Sequence, residues 1–130
     1  MSTDILVPIS PGELIDKITI LQIKSARMTD TAKLTNVRAE LTALEKTWRE
    51  SPHASVDIDE EWASLKRINE KLWVVEDDLR EKERQKQFDQ EFIELARAVY
   101  FTNDERAAVK RQINVKLGSK LIEEKSYAKY

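Results

Sequence analysis

Apolar side chains recur at three- and four-residue intervals along most of this chain. Leu14, Ile15, Ile18, Leu21 and Ile23 cover more than half the barrel of a first helix, and Ile20 widens that face. A helix apolar on so many sides belongs between other helices. Its start carries several agreeing cues. Ser10 can serve as the N-cap, Pro11 occupies the first helical position and Glu13 completes a capping box. Ile9 and Leu14 can form the accompanying hydrophobic staple. Residues 1–9, before these cues, read as extended. Asp30 can cap a second helix, in which Leu34, Val37, Leu41, Leu44 and Trp48 form a coiled-coil-like seam. The run is short for an extended coiled coil, so the spacing predicts an antiparallel hairpin with the first helix.

Arg49 to Val56 is the plainest loop, holding Ser51, Pro52 and His53. Asp57 is placed to cap a third helix, with Glu60 at the capping-box position, and Ile58, Trp62, Leu65, Leu72 and Leu79 lie near one stripe. Heptad extension of that stripe brings Asn69 and Glu76 to the core or its edge. A small rotation would instead turn Ile68 and Val75 inward and leave the polar pair flanking. A buried Glu76 would need a partner, since an unpaired buried charge is costly; Lys17, Arg80 and Arg97 are candidates. Glu81 to Gln87 has no apolar residue and must be a solvated extension or a bend. Phe88, Phe92, Leu95, Ala96, Val99 and Tyr100 resume a helical stripe. Thr102, with Glu105 three residues on, then reads as the cap of a further helix that buries Ala108, Val109, Ile113 and Leu117 and ends at Gly118. Ser119 to Tyr130 carries Leu121, Ile122, Tyr127 and Tyr130 and is expected to dock as a short last helix with an ordered end. The pattern predicts an all-α fold: an antiparallel bundle of four to five helices, including a long central helix, in a single domain over residues 1–130.

Composition sharpens this picture. Of 130 residues, 41% are hydrophobic and 35% charged, with two Gly and three Pro. The charged share exceeds the usual quarter or so and suits long helices with solvated faces. A net charge of −2 provides no overall basic field for nucleic acid or an anionic membrane. Cysteine is absent, which removes disulfides, thiol catalysis and thiolate metal sites and fits a cytoplasmic protein. The opening MSTDILVPIS has no basic segment or long apolar core of a signal peptide, and no apolar run approaches the ~20 residues of a membrane span.

Familiar catalytic motifs are missing. Gly occurs only at positions 12 and 118, so there is no Gly-rich phosphate loop. The single histidine, His53, falls in a polar loop, where a surface role outweighs general-base chemistry, and no serine triad can be assembled around it. Two carboxylate pairs, Glu13 with Asp16 and Glu91 with Glu94, have the i, i+3 spacing that puts each pair on one helical face. Facing each other, they could hold Mg²⁺ through oxygen ligands. As structural residues, Glu13 and Asp16 would favour the positive end of a helix dipole, and Glu91 and Glu94 would be solvated or paired with Arg97. A late basic face gathers Arg106, Lys110 and Asn114 on one ridge, with Arg111 nearby, Arg97, Tyr100 and Asn103 before them and Lys125 and Tyr127 after. With Lys17, the set Arg97, Asn103, Arg106, Lys110 and Lys125 could grip an anion. The plainer alternative is a solvated face with Glu123 and Glu124 as counter-charges. Trp48, Trp62 and Trp73 are core or interface anchors; Trp73, off the main stripe, would face a second helix or a partner subunit.

Three blocks carry a family resemblance: Pro8-Ile9-Ser10-Pro11-Gly12-Glu13-Leu14-Ile15-Asp16-Lys17-Ile18-Thr19-Ile20-Leu21; Phe88-Asp89 and Phe92-Ile93-Glu94-Leu95-Ala96-Arg97 through Asn103-Asp104; and Gly118-Ser119-Lys120-Leu121-Ile122-Glu123-Glu124-Lys125-Ser126-Tyr127 to Tyr130. Over nearly its whole length the chain resembles a family of small bacterial and phage proteins of unknown function. The resemblance implies an all-α domain. It also implies a role around surface-glycan synthesis, since such relatives sit near, or are fused to, glycosyltransferases and helical-repeat proteins. It transfers no catalytic residue.

Two functional expectations follow. One is a non-catalytic binding or scaffold module without a cofactor, a homo-oligomer or bound to a protein partner, and engaging neither nucleic acid nor membrane. The other is a Mg²⁺-dependent enzyme acting on a nucleotide or other phosphorylated small molecule, with Glu13, Asp16, Glu91 and Glu94 on the metal and Arg97, Arg106 and Lys110 on the phosphate.

Overall fold

A computed structural model describes residues 3–130; Met1 and Ser2, part of the extended start read above, lie outside the described residues. Ser10 Oγ accepts the Glu13 backbone N–H at 3.2 Å, and Pro11 opens α1 (Pro11–Arg27). The capping box is half made, because the Glu13 carboxylate goes across to Lys110 at 2.8 Å. Met28–Asp30 turns the chain into α2 (Thr31–Arg49), capped as expected by Asp30, which accepts the Lys33 N–H at 2.9 Å. α3 runs Asp59–Arg84 and α4 runs Gln90–Lys116, and there is no strand among the described residues.

The structure departs from the sequence reading at several boundaries. Asp57 is not the cap of α3. Ile58 takes that position, buried at 3% exposure, while Asp57 accepts only the Asp59 N–H, at 3.0 Å. Anchoring an isoleucine in the core here outweighs a side-chain cap worth about 1 kcal/mol. Glu81 to Gln87 is both extension and bend. α3 continues to Arg84, then Gln87 N–H reaches Lys82 C=O at 3.0 Å and Lys86 N–H reaches Glu83 C=O at 3.1 Å. This is a Schellman closure with Lys86 in the left-handed region, φ 57°. Asp89 then caps α4 by accepting the Phe92 N–H at 3.0 Å.

Thr102 caps nothing. It lies inside the uninterrupted α4 at 1% exposure, because no Gly or Pro breaks the ladder and its position falls on the inward face. The short last helix is also absent. Gly118 (φ 65°) ends α4 in a second Schellman closure, with Ser119 N–H on Asn114 C=O at 2.8 Å, and the remaining chain has no regular secondary structure.

α1 contacts all three other helices, and α3 and α4 pair along their length. Ile15, Leu65 and Ile113 are sealed at the centre, joined by Ile58, Val109 and Leu117. Each such side chain contributes on the order of 1.5–3 kcal/mol by leaving water. Trp48 of α2 meets Trp62 of α3 edge-on, with centroids 5.8 Å apart, at the rim of this core. Two regions stay thinly covered. α2 has no buried residue, its seam being only half-covered by α1, and no residue from Glu76 to Phe101 is buried. Along α3, Asn69 faces inward while Glu76 is half-exposed and Val75 is buried. Counted from buried Leu72, Val75 at i+3 takes the inward place and Glu76 at i+4 flanks it. Among the described residues no helix is long and apolar enough to cross a membrane.

Candidate functional site

Helical periodicity places Asp16 between Ile15 and Ile18 on the inner side of α1, where it is 1% exposed. A carboxylate there needs donors from neighbouring helices, and α3 and α4 each supply them. Arg106 grips it with two nitrogens, Nε to Oδ1 at 2.9 Å and Nη2 to Oδ2 at 2.5 Å. Asn69 donates from Nδ2 to Asp16 Oδ1 and to Thr19 Oγ1, both at 3.0 Å. The Thr19 hydroxyl in turn donates to the Asp16 carbonyl at 2.9 Å. Lys110 Nζ lies 4.0 Å from Asp16, 2.8 Å from Glu13 and 3.1 Å from Glu123. Burial pushes the Asp16 carboxyl up, but the bonds from Arg106 and Asn69 and the charges of Arg106 and Lys110 outweigh it and hold the group below the ordinary aspartate range. Burial lowers Lys110, yet its bonds to Glu13 and Glu123 leave it raised, and Arg106 is raised chiefly by its bond to Asp16. Asp16, Arg106 and Lys110 are thus each shifted toward their charged forms.

Close approach of α1 and α4 makes the node possible. Gly12 N–H donates to Asn114 Oδ1 at 2.7 Å, and a Cβ on Gly12 would stand 2.5 Å from the Lys110 carbonyl oxygen. Only a residue without a side chain fits there.

Beside the node opens a cleft of about 450 Å³. Ile20, Ile23, Leu72 and Trp73 form its apolar part, and Asn69, Asn103 and Arg106 its polar end. Both Nδ2 hydrogens of Asn69 are committed, so its Oδ1 is left as an acceptor. That oxygen accepts no hydrogen bond from the described residues and is not sealed from solvent. Arg106 Nη1 reaches Asn103 Oδ1 only at 3.4 Å and keeps donor capacity toward the opening. At the other end Glu76 pairs with Arg80, and Asp77 makes no ion pair among the described residues.

The structure gathers Glu13, Asp16, Arg106 and Lys110 as a node, with Asn103 at its edge and Lys125 at its rim, 3.4 Å from Glu123. Three carboxylates (Glu13, Asp16, Glu123) thus meet three cations (Arg106, Lys110, Lys125). Other candidate residues lie elsewhere. Lys17 is exposed on the side of α1 toward the N-terminal segment. Arg97 is exposed, its guanidinium 5.6 Å from the Phe101 ring centroid. Glu91 is bound to Lys82 at 3.1 Å by the α3–α4 turn, and Glu94 is exposed. Glu91 and Arg106 are fifteen residues apart on one helix, roughly 22 Å along its axis at 1.5 Å per residue. The two carboxylate pairs therefore do not face each other, and among the described residues no group of three or more His, Asp or Glu could hold a metal ion.

The proposed partners of Glu76 are likewise narrowed to Arg80, on the same helix. Glu123 and Glu124 do act as counter-charges, to Lys110 and Arg111 respectively, each at 3.1 Å. What the sequence reading missed is that Asn69 and Thr19 serve Asp16. The heptad extension reaching Asn69 was the available signal; nothing in the sequence said which carboxylate it would meet.

No curated protein and no solved structure matches this chain. A family model described as "Family of unknown function (DUF6165)" matches residues 5–130, nearly the whole chain. The chain belongs to that family.

Proposed function

We propose that this protein is a non-catalytic binding module whose ligand seat is the cleft between α1, α3 and α4. The observation that carries the reading is the free Asn69 Oδ1, an acceptor on a side chain only 5% exposed, beside a guanidinium with a donor to spare and above an apolar wall that includes Trp73. A cleft of this size, with an apolar wall beside convergent polar groups, has the form of a ligand site.

Charge decides the kind of ligand. Arg106 is neutralised by Asp16 and Arg80 by Glu76, leaving Asp77 as the uncompensated charge at the opening. The cleft therefore favours a neutral or cationic group with an apolar body and disfavours phosphate, which argues against the phosphoryl-handling alternative. Under the surface-glycan association implied by the family resemblance, the ligand would be a neutral or amino-bearing group of a precursor or assembly enzyme.

The three tryptophans give three indole N–H resonances, and Trp73→Phe identifies the one at the cleft. Benzamidine, planar and cationic, is expected to shift the Trp73 resonance in a saturable way, while phenyl phosphate leaves it in place. The reverse order, or no response to either probe, would overturn the reading.

A further inference from the structure

α4 is apolar on a second side. Ile93, Tyr100 and Phe101 are exposed at helical spacing on its outer face, with Arg97 between them and Asp104 a turn on. Further along the helix stand Lys110 and Arg111. The chain's own C-terminal segment lies over this face. Beyond Gly118 it turns back over α4: Glu123 reaches Lys110 and neighbouring Glu124 reaches Arg111, while Tyr130 lies nearer the start of the helix, on Asp104 through its phenol hydroxyl. The Tyr130 ring stands edge-on to Phe101 at 4.6 Å and to Tyr100 at 5.7 Å between centroids.

The segment is held only by side chains. Residues 120–130 are all exposed, and none makes a backbone–backbone hydrogen bond. Its pivot, Gly118, is exposed with open space around the position of a Cβ. On the arm's side both carboxylates are open to solvent, Glu123 on the largely covered Lys110 and Glu124 on the exposed Arg111, and with one aromatic clasp they make a weak, exchangeable attachment. Every contact is specific in chemistry, with acid on base and tyrosine against two rings and a carboxylate, yet none depends on the two parts belonging to one molecule.

We infer that the outer face of α4 is a docking surface for a peptide that carries a Glu-Glu pair followed by a tyrosine, and that the partner it fits is the segment beyond Gly118 of a second copy of this chain, exchanged for its own. Exchange of an identical element preserves every contact and costs little beyond association. The arm's short tether gives the cis arrangement an effective concentration on the order of millimolar. Exchange between free chains therefore becomes prominent only near that concentration, or wherever chains are held together. This surface is separate from the cleft, and its test does not depend on the cleft reading.

The absence of cysteine lets a nitroxide be placed at one site, through Ala128→Cys, without touching the anchors. Labelled chain in natural isotopes is mixed at about millimolar concentration with unlabelled, ¹⁵N-enriched full-length chain. Amides from Arg97 to Arg111 are expected to lose most of their intensity while those of α2 keep theirs. Adding Glu123→Lys and Glu124→Lys to the labelled chain is expected to remove the effect. Absence of broadening, broadening spread evenly over the molecule, or broadening indifferent to the charge reversal would overturn the inference.

Discussion

A carboxylate on the inner side of α1 would be a liability if α3 and α4 did not both reach it. Asp16→Asn leaves Arg106 and Lys110 facing a neutral group and is expected to lower stability by about 3 kcal/mol, the low end for a broken buried pair because Arg106 can regain water. The pH dependence follows from the depressed carboxyl. A group held below its unfolded value stabilises fully above that value and loses its contribution as pH falls through the folded one. The gap between wild type and Asp16→Asn in urea midpoints should therefore hold down to about pH 4 and close below it. A gap unchanged in stronger acid would show that Asp16 is not the group responsible. Gly12 offers a second residue-scale test. Replacing a helical Gly by Ala ordinarily gains up to about 1 kcal/mol. At Gly12 the added methyl meets Lys110 backbone, so Gly12→Ala is expected to cost about 1–3 kcal/mol, measured by chemical denaturation.

At the scale of elements, the two Schellman closures differ in their left-handed residue. α4 ends on Gly118, which adopts φ 65° freely, whereas α3 ends through Lys86 at φ 57°. A side chain there costs roughly 1–2 kcal/mol. Lys86→Gly should raise stability by about 1 kcal/mol after allowing for the freer unfolded chain. A thermal midpoint that stays level or falls would mean the turn is held by something other than its backbone. The element-scale errors of sequence reading have a common cause. Thr102 and Asp57 both carry capping chemistry, but a cap contributes about 1 kcal/mol and yields to burial. Ile58 in the core displaces Asp57, and the inward face of α4 absorbs Thr102. Asp30 succeeds because it stands on an exposed connection where nothing competes.

For the whole molecule, the three-four rhythm of apolar residues determined that the chain is a helical bundle, which side of α1 is buried and roughly where α1, α2 and α3 lie, because burial of apolar faces dominates folding and its periodicity is written residue by residue. The resemblance in three blocks agreed with family membership across residues 5–130. Only the tertiary structure decided which charges meet. Asp16 and Arg106 are ninety residues apart and Asn69 is fifty-three from Asp16, and no local pattern encodes partners at such separations. The same holds for the fate of the metal-site residues. Spacing could put Glu13 with Asp16, and Glu91 with Glu94, on common faces, but the packing of α1 against a distant stretch of α4 keeps the pairs apart. Polar side chains obey pairing rules that depend on geometry after the helices assemble, so the sequence names the ionic groups and the fold chooses their company.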